Sequence, residues 1–412
     1  MKNKPVSDRV TQVPASPIRK LVPFANAAKK EGVKVYHLNI GDPDIKTPEV
    51  MLDVLTSWER NPISYSQSQG EPVFLTALKT YYHRLGFSFL EEKNIQVTNG
   101  GSEGISMAIF ATCNPGDELI VFEPFYANYN SYGVTNGVTL VSILTKLENG
   151  FHLPDRKTIE NAITPKTKAI LICTPNNPTG TVYTKEEMDM LVSIAKDHGL
   201  FLLSDEVYRE FCYNGKKQVS LLSYMQDMPQ QAIVLDSLSK RYSLCGARLG
   251  CIVSLNDDVM AGVLRMAQGR LSSGLIDQLM ASKLVDVPAS YTDGVQKEYQ
   301  LRRDTLFSAL STIPGIQLPP KPEGAFYAIV GLPVADAEEF CTYLLTTFRD
   351  NNETVMIAPA AGFYGTKGMG KNEVRIAYVL NCDAITRSVE ILKKALKEYG
   401  GNSKLKNQIS NR

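Results

Sequence analysis

Lys240 lies in the segment S-L-S-K-R-Y-S-L-C-G-A-R-L-G, residues 237–250, directly after the apolar run 232–236. The amine stands just past a strand end, with Ser237 and Ser239 beside it and Arg248 eight residues on. Such a set suits a carbonyl cofactor that carries a phosphate. The amine condenses with the carbonyl, while hydroxyls and a guanidinium hold the dianion. Taken alone, the segment reads equally as a surface lysine on a βα loop. Four other segments supply the remaining parts of one site.

Residues 99–104, N-G-G-S-E-G, follow a strand-like run and open a helix expected over 102–112. Free N–H groups at a helix start, together with the Ser102 hydroxyl, make an anion site. The glycines stand at 100, 101 and 104, not in the G-x-G-x-x-G spacing of a dinucleotide fold, and a plain tight turn competes. Residues 173–180, C-T-P-N-N-P-T-G, end a buried run in a turn stiffened by Pro175 and Pro178. That turn presents Asn177 at a strand's C-terminal edge, where α/β folds place ligands. A prolyl turn with a capping asparagine is the alternative.

In L-L-S-D-E-V-Y, residues 202–208, Asp205 ends another buried run. An unpaired buried carboxylate costs several kcal/mol, so it needs a partner, and a protonated pyridine nitrogen is one. A helix cap, with Tyr208 in the core, also fits. Arg375, in N-E-V-R-I-A-Y-V, sits mid-strand between apolar neighbours. Its forked cation suits bidentate recognition of a carboxylate, in competition with a salt bridge to Glu373.

These residues need a scaffold that brings strand ends together. Apolar or β-branched runs at 95–98, 118–122, 138–143, 169–174, 201–204, 233–236 and 251–254 read as seven strands of an α/β sheet with helices on both faces. Runs such as A-I-L-I-C are apolar throughout, as strands buried on both faces are. Thr184 and Glu187 form a capping pattern for a helix over 184–198. Beyond about residue 285 a polar helix around 299–310, a Pro-rich stretch, strands at 325–330 and 373–378 and a helix near 336–349 indicate a smaller α+β domain. The expected division is 1–48, joining the small domain; 49–290, the large domain; 291–400, the small domain; and 401–412, a polar frayed tail.

Composition narrows the function classes. Of 412 residues 43% are apolar and 21% charged, ordinary for a globular chain, and 44 Lys+Arg against 43 Asp+Glu leave a net charge of +1. No basic field recruits nucleic acid or an anionic membrane, and no apolar run approaches a bilayer span. The N-terminus lacks the apolar core of a signal peptide. Seven dispersed cysteines, without a C-x-x-C pair, read as reduced thiols of a cytoplasmic protein. His37, His83, His152 and His198 show no metal or triad spacing.

Together the segments resemble the class I and II aminotransferases, the fold-type I pyridoxal-phosphate enzymes. The likeness extends from G-D-P-D-I-K-T-P at 41–48 to V-R-I-A-Y at 374–378, and rests on N-P-T-G, S-D-E-V-Y and S-L-S-K in that order. The resemblance implies pyridoxal 5'-phosphate as cofactor, held covalently on Lys240. Asp205 keeps the pyridine nitrogen protonated, Tyr208 bonds the ring oxygen and Asn177 lies beside that oxygen. Gly101, Ser102, Ser237, Ser239 and Arg248 fall on phosphate-binding positions. Tyr126 stacks on the ring, and Tyr65 reaches the phosphate from the partner subunit, which implies a homodimer. Arg375 binds the substrate α-carboxylate with the Gly41 backbone beside it.

The same resemblance implies amino-group transfer from an L-amino acid to a 2-oxo acid such as 2-oxoglutarate, with ping-pong kinetics. A dicarboxylic donor such as aspartate needs a second cation, and Arg19 and Arg270 are the candidates, Arg19 favoured. Tyr36, Tyr65 and Phe363 are candidates to line a pocket for an aromatic donor. A β-lyase or decarboxylase on the same fold is the nearest rival. A non-catalytic pyridoxal-binding regulator is less favoured, because no DNA-binding module is evident. A nicotinamide dehydrogenase lacks its glycine fingerprint.

Overall fold

The computed structural model describes residues 6–410, with side chains through Gly401. Strand β1 (Lys34–His37) precedes a series comprising β2 (Ile95–Asn99), β3 (Glu118–Glu123), β4 (Thr139–Leu144), β5 (Thr167–Cys173), β6 (Phe201–Asp205), β7 (Ala232–Ser237) and β8 (Leu249–Val253). These last seven form one sheet in the order β2-β8-β7-β6-β5-β3-β4. Only β8 runs against its neighbours; all the other pairs are parallel. The C-terminal ends of β2, β3, β5, β6 and β7 therefore lie along one edge, where the candidate site residues gather.

Strand patterning explains the sheet's burial. Ile170 and Ile172 face one apolar layer, with Leu191 and Ile194 of the helix Lys185–Asp197. Ala169 and Leu171 face the other, with Ile105 and Ile109 of the helix Gly100–Thr112. With both faces covered, a central strand has no polar side, which is why the runs read as continuous apolar stretches. The helix Lys185–Asp197 starts in a full capping box: Thr184 accepts from the Glu187 N–H, and the Glu187 carboxylate from the Thr184 N–H at 2.7 Å.

A third apolar cluster is built from the N- and C-terminal parts of the chain. It joins Leu21, Ala25, Tyr36 and Leu38 to Phe326, Phe340, Leu344, Ile376 and Leu392. Its strands are β9 (Tyr327–Gly331), β10 (Glu353–Met356), β11 (Ala358–Pro359) and β12 (Glu373–Ala377), in an antiparallel sheet β11-β12-β9 and a parallel pair β1-β10. The helix expected around 299–310 is far longer, Ala289–Leu310. The final helix, Cys382–Ser410, continues through the segment expected to fray; residues 411–412 lie outside the described part.

Candidate active site

A cleft of about 550 Å³ opens between the strand-end edge of the large sheet and the β9–β12 region. The candidate cofactor and substrate residues line it, with the exceptions of Tyr36, Tyr65, Arg270 and Phe363. Lys240 sits in the one-turn helix Leu238–Arg241 that springs from β7, capped by Ser237. Its Nζ donates to the Gly41 carbonyl at 2.7 Å and to Cys245 Sγ at 3.4 Å. A Cβ on Gly41 would stand 1.7 Å from Tyr327 Oη, so any larger residue here must displace the Tyr327 ring.

Asp205 ends β6 and is 6% exposed. Tyr129 Oη donates to its Oδ2 at 2.8 Å, and the Val207 N–H reaches Oδ1 at 3.4 Å. Burial outweighs these bonds and pushes its carboxyl up to about 6. No cation pairs with Asp205 among the described residues; the nearby buried arginines, Arg209 and Arg241, pair with Glu206, Asp236 and Glu210. A carboxylate so placed calls for a positive N–H from the cleft.

Asn177 and Tyr208 form one polar group with Arg375. Asn177 Nδ2 donates to Tyr208 Oη at 3.4 Å, and Arg375 Nη1 donates to Asn177 Oδ1 at 3.1 Å. Arg375 also donates to the Asn39 carbonyl, and its buried Nε has no partner among the described residues. Its guanidinium carbon lies over the rings of Tyr327 and Phe363, 4.6 and 5.0 Å from their centroids. Burial pulls Arg375 below an ordinary arginine. The Glu373 salt bridge weighed from sequence does not form: Glu373 accepts from Tyr364 Oη. Tyr208 Oη lies 3.0 Å from Tyr327 Oη, and burial pushes the Tyr208 phenol up.

At the other end, Ser237 Oγ donates to Ser239 Oγ or to the Leu249 carbonyl, each at 2.9 Å. Gly101 and Ser102 stand in the first turn of the helix Gly100–Thr112. At Gly100, φ is +77° and a Cβ would stand 2.4 Å from Arg248 Nη2, so glycine lets the guanidinium approach the helix start. Tyr126 projects from the loop after β3 and accepts at Oη from Asn128 at 2.8 Å. Two serines, a helix start and an arginine at one end, a carboxylate at the other and an amine between suit a phosphorylated pyridine aldehyde. The donor set fits that group.

Three expectations change, for Arg270, Tyr36 and Phe363. Arg270 points away from the cleft, pairing with Glu103 at 2.9 Å and with the Val97 carbonyl at 2.8 Å. Tyr36 bonds Glu353 and Lys34 on β1 and does not line the cleft. Phe363 is fully buried behind Arg375 instead of forming a cleft wall. Tyr65 lines no part of its own chain's cleft and is 82% exposed, which leaves the contact expected across a subunit interface unchanged. Sequence reasoning missed Tyr129, Tyr327, Asn39 and Cys245. Tyr129 stands three residues after Tyr126, a helical spacing that signals it; the others carry no local pattern. Among the described residues no helix is long and apolar enough to cross a membrane, and no cluster of three or more metal-ligating side chains exists.

An α/β sheet of this order with the lysine, aspartate and arginine at one cleft defines a fold-type I transferase. The family model "Aminotransferase class I and II" matches residues 33–390, and the chain belongs to that family. It is an aminotransferase. An aspartate aminotransferase of Bacillus sp. (strain YM-2) is 28% identical over 403 residues, covering 95% of this chain and 99% of the relative. Among solved structures, a Thermus thermophilus aspartate aminotransferase single mutant superposes with TM-score 0.85 at 26% identity, covering 95% of this chain and 100% of that one. An alanine aminotransferase from Pyrococcus furiosus gives TM-score 0.84 at 28% identity, with 96% and 100% coverage.

Proposed function

We propose that this aminotransferase binds pyridoxal 5'-phosphate in the cleft, as a cytoplasmic homodimer, and carries an amino group from aspartate to a 2-oxo acid such as 2-oxoglutarate. The observation that carries the reading is the convergence of Lys240, Asp205 and Arg375 on one cleft, each short of a charged partner among the described residues. When bound, the cofactor supplies an aldehyde for the amino group and a protonated ring that withdraws electrons from the substrate.

The chain's own residues do the rest. Asp205, already short of a cation, would pair with a protonated ring nitrogen in this buried site. Tyr208 and Asn177 would hold the oxygen-bearing side of the ring, and Tyr126 would cover its face. Gly101, Ser102, Ser237, Ser239 and Arg248 would hold the phosphate. Arg375 takes the substrate α-carboxylate, beside Asn177 and the Gly41 backbone. Lys240 Nζ, as a neutral amine, accepts the proton from the substrate Cα and gives it up later in the same half-reaction. A positioned base of this kind contributes ~10²–10⁴-fold. The reaction runs in two half-reactions, so the kinetics are ping-pong.

Exposed Tyr65 suits a phosphate contact made to the partner subunit's site. The free cysteines suit a reducing compartment. For the donor, Arg19 lines the cleft, whereas Arg270 is held by Glu103. Arg19 is therefore the residue proposed to read a distal carboxylate. An aromatic donor is the broader range. Half-reaction rates for aspartate, alanine and phenylalanine, with the parent and Arg19→Ala, test this. Arg19→Ala should lose aspartate rate and leave alanine unchanged; equal aspartate rates in both proteins would refute the assignment.

A further inference from the structure

Glu123 is the last residue of β3, fully buried, and none of the chemistry above uses it. Its carboxylate is filled from one side. The N–H groups of Gly365 and Thr366 both donate to Oε2, the latter at 2.8 Å, and Thr366 Oγ1 donates to Oε1. A buried carboxylate satisfied by two amides and a hydroxyl is stable without a counter-cation. Those donors belong to the loop that follows β11 and leads to β12, the strand that carries Arg375.

The loop is held at two further points. The Phe125 N–H donates to the Phe363 carbonyl at 2.9 Å, and a Cβ on Gly365 would stand 2.2 Å from Ser142 Oγ of β4. Loop and sheet edge are thus in close contact, with no room for a side chain between them. On the sheet side, Glu123 stands three residues before Tyr126. On the loop side, Phe363 is fully buried and covers the Arg375 guanidinium.

From this geometry we infer that Glu123 is a positioning residue for substrate recognition: its carboxylate latches the 363–366 loop to the end of β3 and so holds Phe363 over Arg375. The inference rests on the proposed role of Arg375 toward the substrate carboxylate. Arg375 has a buried Nε without a partner among the described residues, is 2% exposed, and has its guanidinium against the Phe363 and Tyr327 rings. Releasing the loop lets water compete for the guanidinium and frees its plane to rotate. Both effects weaken the hold on an α-carboxylate. Ser102, Ser237, Ser239, Arg248 and Asp205 lie outside β3 and this loop, so of the cofactor residues only Tyr126 adjoins the latch and cofactor affinity changes little.

Glu123→Gln tests this in the holoenzyme: the two backbone N–H groups on Oε2 keep only an uncharged and weaker acceptor, while Thr366 Oγ1 can turn to accept from the new NH₂. Thr366→Val removes one hydroxyl and guards against a Gln variant that fails to fold. Arg375→Lys, measured in parallel, tests the underlying reading. The amino-acid KM and kcat of the half-reaction and the Kd for pyridoxal 5'-phosphate are measured for each. Glu123→Gln is expected to raise KM about tenfold, and Thr366→Val about threefold, with kcat and cofactor Kd within about twofold of the parent. If Arg375→Lys raises KM and both latch variants leave it unchanged, the latch is overturned while the carboxylate role stands. Loss of cofactor affinity in step with KM also overturns it, as general loosening of the site. An unchanged KM in Arg375→Lys overturns the reading beneath it.

Discussion

Replacing Asp205 with asparagine separates the demands of function from those of folding. The carboxyl is held to about 6 by burial, against 3.8 for an ordinary aspartate. The folded chain thus binds this proton more tightly than the unfolded chain does. The resulting stability is full below pH 3.8 and is lost as pH rises through about 6. Above that, the ionised group is a burden on the cofactor-free fold. A gap of about two pH units at about 1.4 kcal/mol each amounts to about 3 kcal/mol. The asparagine side chain would keep a hydrogen bond to Tyr129 without the charge. In denaturant unfolding of cofactor-free protein, Asp205→Asn should therefore be more stable than the parent at pH 8, by up to about 3 kcal/mol, and the gap should shrink towards pH 4. With cofactor bound, the order should reverse and turnover should fall ~10²–10³-fold, as when a preorganised charge partner is removed. A cofactor-free variant less stable than the parent at pH 8, or a gap independent of pH, would refute the argument.

Other substitutions probe separate parts of the site. Gly41→Ala places a methyl against Tyr327 Oη, so aminotransferase activity should fall at least about tenfold while the circular dichroism spectrum is unchanged. Tyr129→Phe deletes the hydroxyl that donates to Asp205 at 2.8 Å; cofactor-free stability at pH 8 should drop by about 1–3 kcal/mol, with a smaller loss near pH 4. Arg270→Ala breaks only the pair with Glu103 and a backbone bond. The aspartate KM should then stay within about twofold of the parent, since Glu103 takes the charge of an arginine that does not line the cleft. A larger change in KM would return Arg270 to the substrate side.

The large sheet was legible because its strands are buried on both faces. Their runs, 95–98 through 251–254, match β2 to β8 to within about two residues at each end, since a fully apolar strand has abrupt polar boundaries. Lys240, Asp205 and Asn177 were legible because strand-end turns carry Pro, Ser and Asp in dense local patterns. The walls of the cleft were not. Tyr327 meets Tyr208 across 119 positions, and Arg375 meets the Asn39 carbonyl across 336. No local spacing encodes such contacts. Arg270 illustrates the reverse case: its type suggested a substrate carboxylate, but Glu103, 167 positions earlier, takes up its charge. Strand β10 was missed because E-T-V-M is only four residues long and pairs with β1, which lies near the other end of the chain.

The most direct measurement is borohydride reduction of protein incubated with pyridoxal 5'-phosphate, followed by proteolysis and mass spectrometry. A pyridoxyl adduct on the peptide carrying Lys240, and its absence after prior exposure to aspartate, is the expected result. An unmodified Lys240 peptide, or label spread over surface lysines, would contradict the account.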